Sequence, residues 1–289
     1  MTALGETAIV GAGQVGTTVG LALRQADPAF EVTSVSLYDS DPEVAAESLA
    51  LGAGDRVLSS PEGVLAASTV VLAIPLGEIL SWLGQFGHRL RPGTTLLDTG
   101  SAKVAVVEAM AQLVPEGVRA IGGHPLAGSE IPGPGGAAPG ALRGATFALC
   151  PCREDAEAIA RGVSLASACT ARPVIMSASD HDRLVARTSH LPHLVASACA
   201  ASLAVLAGEQ PLLRDLVGSG FRSVSRLAAS DPRMVAEFAS ANRGALEAAL
   251  ADFRVELERL TRALTAGPEA LAAELARGRQ VRAGLLEGV

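Results

Sequence analysis

Apolar positions along the first 175 residues follow two alternating rhythms. Short runs such as "TAIV", "TSVSLYD", "STVVLAIP", "TTLLDTG" and "VRAIGGHP" predict strands. Between them, "QVGTTVGLALRQA", "PEVAAESLA", "GEILSWLGQFG" and "KVAVVEAMAQLV" place apolar residues at helical spacing. Strand and helix in alternation predict an α/β fold, a mostly parallel sheet with helices on both faces. "ATFALC" and "ARPVIM" predict two further strands. After "SASDHD" the strands stop. Residues 180–287 keep helical spacing, broken at Gly208–Pro211, Gly218–Gly220, Ser230–Pro232 and Gly267–Pro268. Asp231-Pro232 has the chemistry of a helix start, a capping carboxylate followed by a ring that presets the first turn. The expected organisation is a doubly wound domain over 1–176 and an all-helical domain over 177–289.

Composition narrows the partners. Hydrophobic residues reach 49% while aromatics are only 3%, and the excess of alanine favours close-packed helices. A net charge of −7 with no basic run argues against nucleic acid. Cys150 and Cys152 flank Pro151, and Cys169 and Cys199 stand alone, which is neither a zinc spacing nor a disulfide framework. Free thiols in a reducing cytoplasm are expected. The N-terminus lacks a basic region followed by a signal-length apolar run, and no uninterrupted apolar run reaches about 18 residues, so no membrane span is expected.

"AIVGAGQVG" sets Gly11, Gly13 and Gly16 between a strand and a helix. The first permits a tight turn, the second lets a pyrophosphate approach the backbone, and the third lets the helix pack on the sheet. The helix N-terminus then offers amides and a positive dipole end to phosphate. Asp39 closes the second strand, where a carboxylate accepts from ribose hydroxyls and repels a 2′-phosphate. NAD is therefore expected over NADP, with Asp41 left as a helix cap. Pro75, at the end of "STVVLAIP", lies on the cofactor side of such a sheet. The cofactor set is Gly11, Gly13, Gln14, Val15, Gly16, Asp39 and Pro75.

Two other strand ends carry chemistry. "LLDTGSAK" puts Ser101 after one, with Lys103, the only lysine, two residues on. "IGGHPLAGSE" puts His124 after the next, at the mouth of a loop rich in glycine and proline. A histidine there can take a hydroxyl proton as hydride leaves carbon, and a serine beside it can orient the ring or the substrate oxygen. His181, His190 and His193 cluster in "SDHDRLVARTSHLPH". His190 and His193 lack a third acidic ligand at helical spacing, so no metal is expected. Both are candidate substrate contacts, with Pro192 between them expected to begin a new helix. His88 is read as a solvated helix end. Arg222 and Arg226, in a helix opening after Gly220, can grip a carboxylate.

The motifs "GAGQVG", "DTGSAK", "GGHPLAGSE", "HDRLVARTSHLPH" and "GFRSVSRLAASDPRM" followed by "FASAN", in that order, resemble the prephenate/arogenate dehydrogenase family of tyrosine biosynthesis over almost the whole chain. The resemblance implies that His124 is the catalytic histidine and Ser101 its partner near the nicotinamide. It further implies that Glu130 controls access, that His193 contacts substrate and that Arg226 holds a substrate carboxylate. It also implies a helical dimerisation domain, hence a cytoplasmic homodimer acting on a small molecule. The implied reaction is NAD-dependent oxidative decarboxylation of prephenate to 4-hydroxyphenylpyruvate, with arogenate or 4-amino-4-deoxyprephenate as the alternative substrate. Val235 stands where the family often carries tryptophan, which leaves the ring substrate open. A non-catalytic NAD sensor would need no proton acceptor. A generic β-hydroxyacid dehydrogenase would need a catalytic lysine in the helical domain, where there is none.

Overall fold

The computed structural model describes residues 2–128 and 131–287. Its N-terminal part runs β1 (Gly5–Val10), α1 (Gln14–Arg24), β2 (Val32–Tyr38), α2 (Pro42–Ala50), β3 (Arg56–Val57), β4 (Thr69–Leu72), α3 (Leu76–Phe86), β5 (Thr95–Asp98) and α4 (Val104–Leu113). It continues with β6 (Arg119–Pro125), β7 (Thr146–Pro151), α5 (Ala156–Ala168) and β8 (Arg172–Ile175). The strands form one sheet in the order β3-β2-β1-β4-β5-β6-β7-β8. All neighbouring pairs are parallel except β6 with β7. The strand order reverses at β1 and β4, so the crevice beyond their C-terminal ends is the ligand position of a doubly wound sheet.

Period-two alternation explains why both faces are covered. Ile9, Val71 and Leu97 point to the face shared with Val19, Leu23 and Leu165 of α1 and α5. Ala8, Val10, Val70, Leu72 and Leu96 point to the other, against Ile79, Trp82 and Leu83 of α3 and Val106 and Met110 of α4. Fully burying each large side chain contributes about 1.5–3 kcal/mol. Arg153, just beyond β7, donates to the carbonyls of Ala111 and Val114, both at 2.7 Å, and so caps the C-terminal end of α4.

The helical part comprises α6 (Ala178–Val185), a π-helical turn (Ala186–His190), α7 (Leu191–Ala201), α8 (Ala204–Glu209), α9 (Ser219–Ser225), α10 (Pro232–Ala241), α11 (Arg243–Ala266) and α12 (Pro268–Leu286). Pro192 has no N–H to give the preceding turn, and the wider π turn accommodates it without ending the run. The new helix expected at Pro192 is thus a continuation. From Ala178 to Glu209 the run is apolar enough, by length and composition alone, to cross a membrane. Val205 and Leu206 on it are exposed, as are Leu212 and Leu216 just beyond it.

The single helix expected through both arginines ends at Ser225, and Arg226 opens a 3-10 turn. The Ser225 hydroxyl donates to the Phe221 carbonyl at 2.7 Å, competing with the backbone for that acceptor. Asp231 caps α10 through the Arg233 amide, 2.8 Å away.

By packing, the chain divides into two compact units, Met1–Asn242 and Arg243–Val289. The second is a helical hairpin of α11 and α12 turned at Gly267, whose φ of +118° favours glycine. Ion pairs Arg277–Glu256 and Arg259–Glu274 join its two helices.

Candidate active site

The glycine turn is built for a close ligand. Gly11 has φ +93°, and a Cβ there would lie 2.3 Å from the Ala73 carbonyl oxygen. A Cβ on Gly16 would fall 1.8 Å from the Gly11 carbonyl oxygen, so α1 approaches the turn as closely as backbone allows. Gly13, by contrast, faces open space. It is the N-cap of α1 and supplies no side-chain cap, which leaves the first amides of the helix to a ligand. Asp39, one residue past β2, accepts from the Ala12 amide at 2.7 Å and the Asp41 amide at 3.0 Å. It is thereby held against the glycine turn, at the C-terminal edge of β2. Asp41 itself caps α2 through the Glu43 amide at 2.9 Å. The cradle and the carboxylate fit a dinucleotide. Pro75 is the exposed N-cap residue of α3, on the same edge of the sheet. A small cleft lined by Gln14, Val15, Thr18, Pro125 and Gly128 joins the glycine turn to the loop after β6.

His124 stands near the C-terminal end of β6, opposite Ala148 of the antiparallel β7. Two glycines precede it for steric reasons. A Cβ on Gly123 would lie 2.4 Å from the Asp98 carbonyl oxygen, and one on Gly122 would lie 2.9 Å from Val107. Behind the ring runs a chain of hydrogen bonds. His124 Nδ1 is 2.9 Å from His181 Nε2, and His181 Nδ1 is 2.7 Å from Asp182 Oδ1. Asp182 accepts from the amide of Lys103, the N-cap residue of α4, at 2.7 Å and from that of Val104, its first residue, at 2.9 Å. Burial pushes the Asp182 carboxyl up, but the His181 bond and these two amides outweigh it and the net shift is downward. Burial, followed by the charges of His181, Lys103 and His190, pulls His124 well below the usual histidine range.

A buried ion pair closes the loop that carries Ser101. Lys103 Nζ bonds the Asp98 carboxylate and also donates to the Gly123 carbonyl at 2.8 Å; neither side chain of the pair is exposed. The other contacts of Asp98 are the amides of Gly100 at 2.8 Å and Gly123 at 3.0 Å. One carboxylate thus ties the end of β5, the Ser101 loop and the strand before His124 into a single unit.

His190 lies wholly buried at the π turn, its ring stacked on Phe238 at 4.4 Å and its Nδ1 3.3 Å from Asn242 Nδ2. Burial pulls it down to about 4, against the opposing pull of Asp182 and the Ser101 backbone. His193 is half-buried and meets the same Phe238 edge-on at 5.3 Å. The exposed Arg226 opens a turn that packs on α7, the helix of His193. Val235 is half-buried in the first turn of α10. Glu130 lies outside the described residues. Asp98, Asp182, Phe238 and Asn242 were not singled out by sequence reasoning, although all four sit inside the motifs that carry the resemblance.

Fold and site together define a doubly wound dinucleotide-binding protein with a histidine at the crevice and a helical second half. The chain belongs to the prephenate dehydrogenase family. Residues 19–175 match the family model "Prephenate dehydrogenase, nucleotide-binding domain" and residues 177–277 match "Prephenate dehydrogenase, dimerization domain". It is 31% identical over 271 residues to cyclohexadienyl dehydrogenase of Zymomonas mobilis, covering 91% of this chain and 90% of that one. It is 28% identical over 228 residues to prephenate dehydrogenase of Lactococcus lactis, covering 78% of this chain but only 62% of the relative's length. The crystal structure of Synechocystis arogenate dehydrogenase superposes with a TM-score of 0.78 at 27% identity, covering 99% of this chain and 100% of that one.

Proposed function

We propose that this chain is an NAD-dependent dehydrogenase that converts prephenate to 4-hydroxyphenylpyruvate. The observation that carries the reading is His124, placed at a strand end on the crevice edge of the sheet, with the glycine cradle and Asp39 on the same edge. When bound, the nicotinamide supplies the hydride acceptor. His124 takes the proton of the ring C4 hydroxyl as hydride departs, the C1 carboxylate leaves as carbon dioxide, and aromatisation drives the step forward. Its lowered pKa leaves His124 neutral, so a ring nitrogen is available to accept, although the same shift weakens it as a base. Ser101, in a loop pinned by the Asp98–Lys103 pair, orients the hydroxyl or the imidazole.

Arg226 receives a substrate carboxylate and His193 the ring, while Glu130 controls entry. His190 has no exposed surface, so its contribution runs through Phe238 and Asn242 beside it. Gly11, Gly13, Gln14, Val15, Gly16 and Pro75 surround the cofactor, and Asp39 selects NAD by meeting the ribose hydroxyls. The functional division falls at 176/177, between cofactor domain and helical domain. The exposed apolar side chains of the helical run are what a second copy of the chain would cover, giving a homodimer, and the free cysteines fit a reducing cytoplasm.

A second reading, arogenate or 4-amino-4-deoxyprephenate as substrate, is favoured by the half-buried Val235, which stands where the resemblance implies a tryptophan bordering the substrate pocket. NADH formation by the purified protein with each of the three compounds tests both readings. His124→Asn should keep NAD affinity and lose about 10²–10⁴-fold in turnover. Turnover near wild type in that variant would remove His124 from the mechanism.

A further inference from the structure

The chain Asp182–His181–His124 fixes where protons sit. The Asp182 carboxylate can only accept, so His181 must present Nδ1–H to it. A neutral His181 then has a bare Nε2, which can only accept, and the proton shared across the 2.9 Å contact belongs to His124 Nδ1. That leaves His124 Nε2 as a bare lone pair. Asp182 cannot turn away, because the amides of Lys103 and Val104 hold both its oxygens. The Asn242 side chain also donates to the Asp182 carbonyl at 2.7 Å, holding the backbone that carries the pair.

We infer that His181 and Asp182 are positioning residues for the proton-transfer step: they fix His124 in its Nδ1–H tautomer and take over the positive charge once its Nε2 has accepted the substrate proton. The inference rests on His124 being the base of the proposed reaction. The protons balance without any further reagent. The hydroxyl proton goes to His124 Nε2, the Nδ1 proton of His124 moves to His181 Nε2, and His181 keeps its Nδ1 proton against Asp182. The hydride pair leaves the ring carbon for the oxidised nicotinamide. A cation resting on His124 would be buried and would face the positive charge of Lys103. One step further on it is bonded directly to the Asp182 carboxylate. Transfer along the chain therefore converts a disfavoured charge into a paired one.

The first test needs no substrate. In protein carrying ¹⁵N-labelled histidine at neutral pH, ring-nitrogen shifts should show both His124 and His181 protonated at Nδ1 and bare at Nε2, with assignments made from His124→Asn and His181→Gln. A proton on Nε2 of His124 overturns the inference whatever the reaction proves to be. The second test is kinetic. His181→Ala should lower kcat by about 10²–10³-fold with KM for NAD within about two-fold, and added imidazole should restore part of the loss. His181→Gln keeps an acceptor for His124 Nδ1 but cannot carry charge. It should fold as wild type, lose about 10-fold or more in kcat and show a displaced acid limb in its pH profile. Wild-type kcat and pH profile in His181→Gln would sink the relay while leaving the dehydrogenase reading intact. Absence of turnover in the wild-type protein with all three ring substrates would instead sink that reading and the charge transfer with it, while the tautomer measurement would still decide whether His181 and Asp182 fix the proton on His124 Nδ1.

Discussion

Lys103→Met isolates the buried ion pair. Methionine keeps most of the stem volume and removes the charge. Asp98 would retain the amides of Gly100 and Gly123 but lose its only cationic partner among the described residues, at a position without solvent exposure. The Gly123 carbonyl would lose a donor as well. Stranding one member of a buried pair costs about 3–5 kcal/mol. For a chain of this size each kcal/mol shifts Tm by about 2–4 °C, so melting should fall by roughly 6–20 °C. The double variant Asp98→Asn with Lys103→Met strands no charge and should regain about half of that loss or more. Urea and thermal unfolding of the wild type, the single variant and the double variant close the cycle. The kinetics carry an independent signature. Lys103 is one of the charges that pull His124 down, so its removal lets His124 hold a proton at higher pH. As pH falls, the neutral, competent form is then lost earlier, and the acid limb of kcat/KM moves up. A single variant within about 1 kcal/mol of wild type, with an unmoved acid limb, would refute the assignment of this pair as the clamp of the site.

Asp39→Ser should admit NADP, because a 2′-phosphate would no longer meet a carboxylate; a wild-type protein that already prefers NADP in kcat/KM would end that assignment. Arg226→Ala should raise KM for the ring substrate with a smaller effect on kcat, since a carboxylate clamp serves ground and transition states alike, and an unchanged KM would direct attention to Arg222. His190 titrates near 4 in the folded protein against an ordinary 6.5, so its contribution to stability is complete above about pH 6.5 and is lost as pH falls toward 4. That loss amounts to up to about 3 kcal/mol. Urea midpoints measured between these limits should fall with pH, and should fall less in His190→Leu; equal slopes would show that His190 carries no such linkage.

Much of the sheet was legible because its signal is local. Ile9, Val71 and Leu97 alternate with neighbours of opposite facing, and that alternation is written in consecutive residues. The two-residue β3 is too short to carry a period, and α5 buries Ala158, Gly162, Ser164, Ala166 and Ala168 around Leu165, small residues whose facing their type does not announce. The strand-end placement of His124 and of the Ser101 loop followed from the same local pattern. The chain behind His124 did not. Asp182 reaches α4 across 79 residues of sequence and His124 meets His181 across 57, and no spacing rule links such positions. Lys103 drew notice as the only lysine, yet its partner Asp98 reads in sequence as an ordinary strand-end carboxylate. The break at Ser225 was hidden because it depends on a side-chain hydroxyl competing for one carbonyl.

The two glycines before His124 bear on how mutational data from this protein should be read. Any side chain at Gly123 collides with the Asp98 backbone, and one at Gly122 presses on Val107. Both collisions push β6 away from its neighbours and carry His124 with it. A saturation scan scored on growth or turnover would therefore find these positions as intolerant as the catalytic residue itself. Tolerance maps alone would enlarge the active site by two residues that never meet the substrate. Folding yield scored alongside turnover separates the two classes, since alanine at 122 or 123 should fail in both, whereas asparagine at 124 should fail in turnover alone.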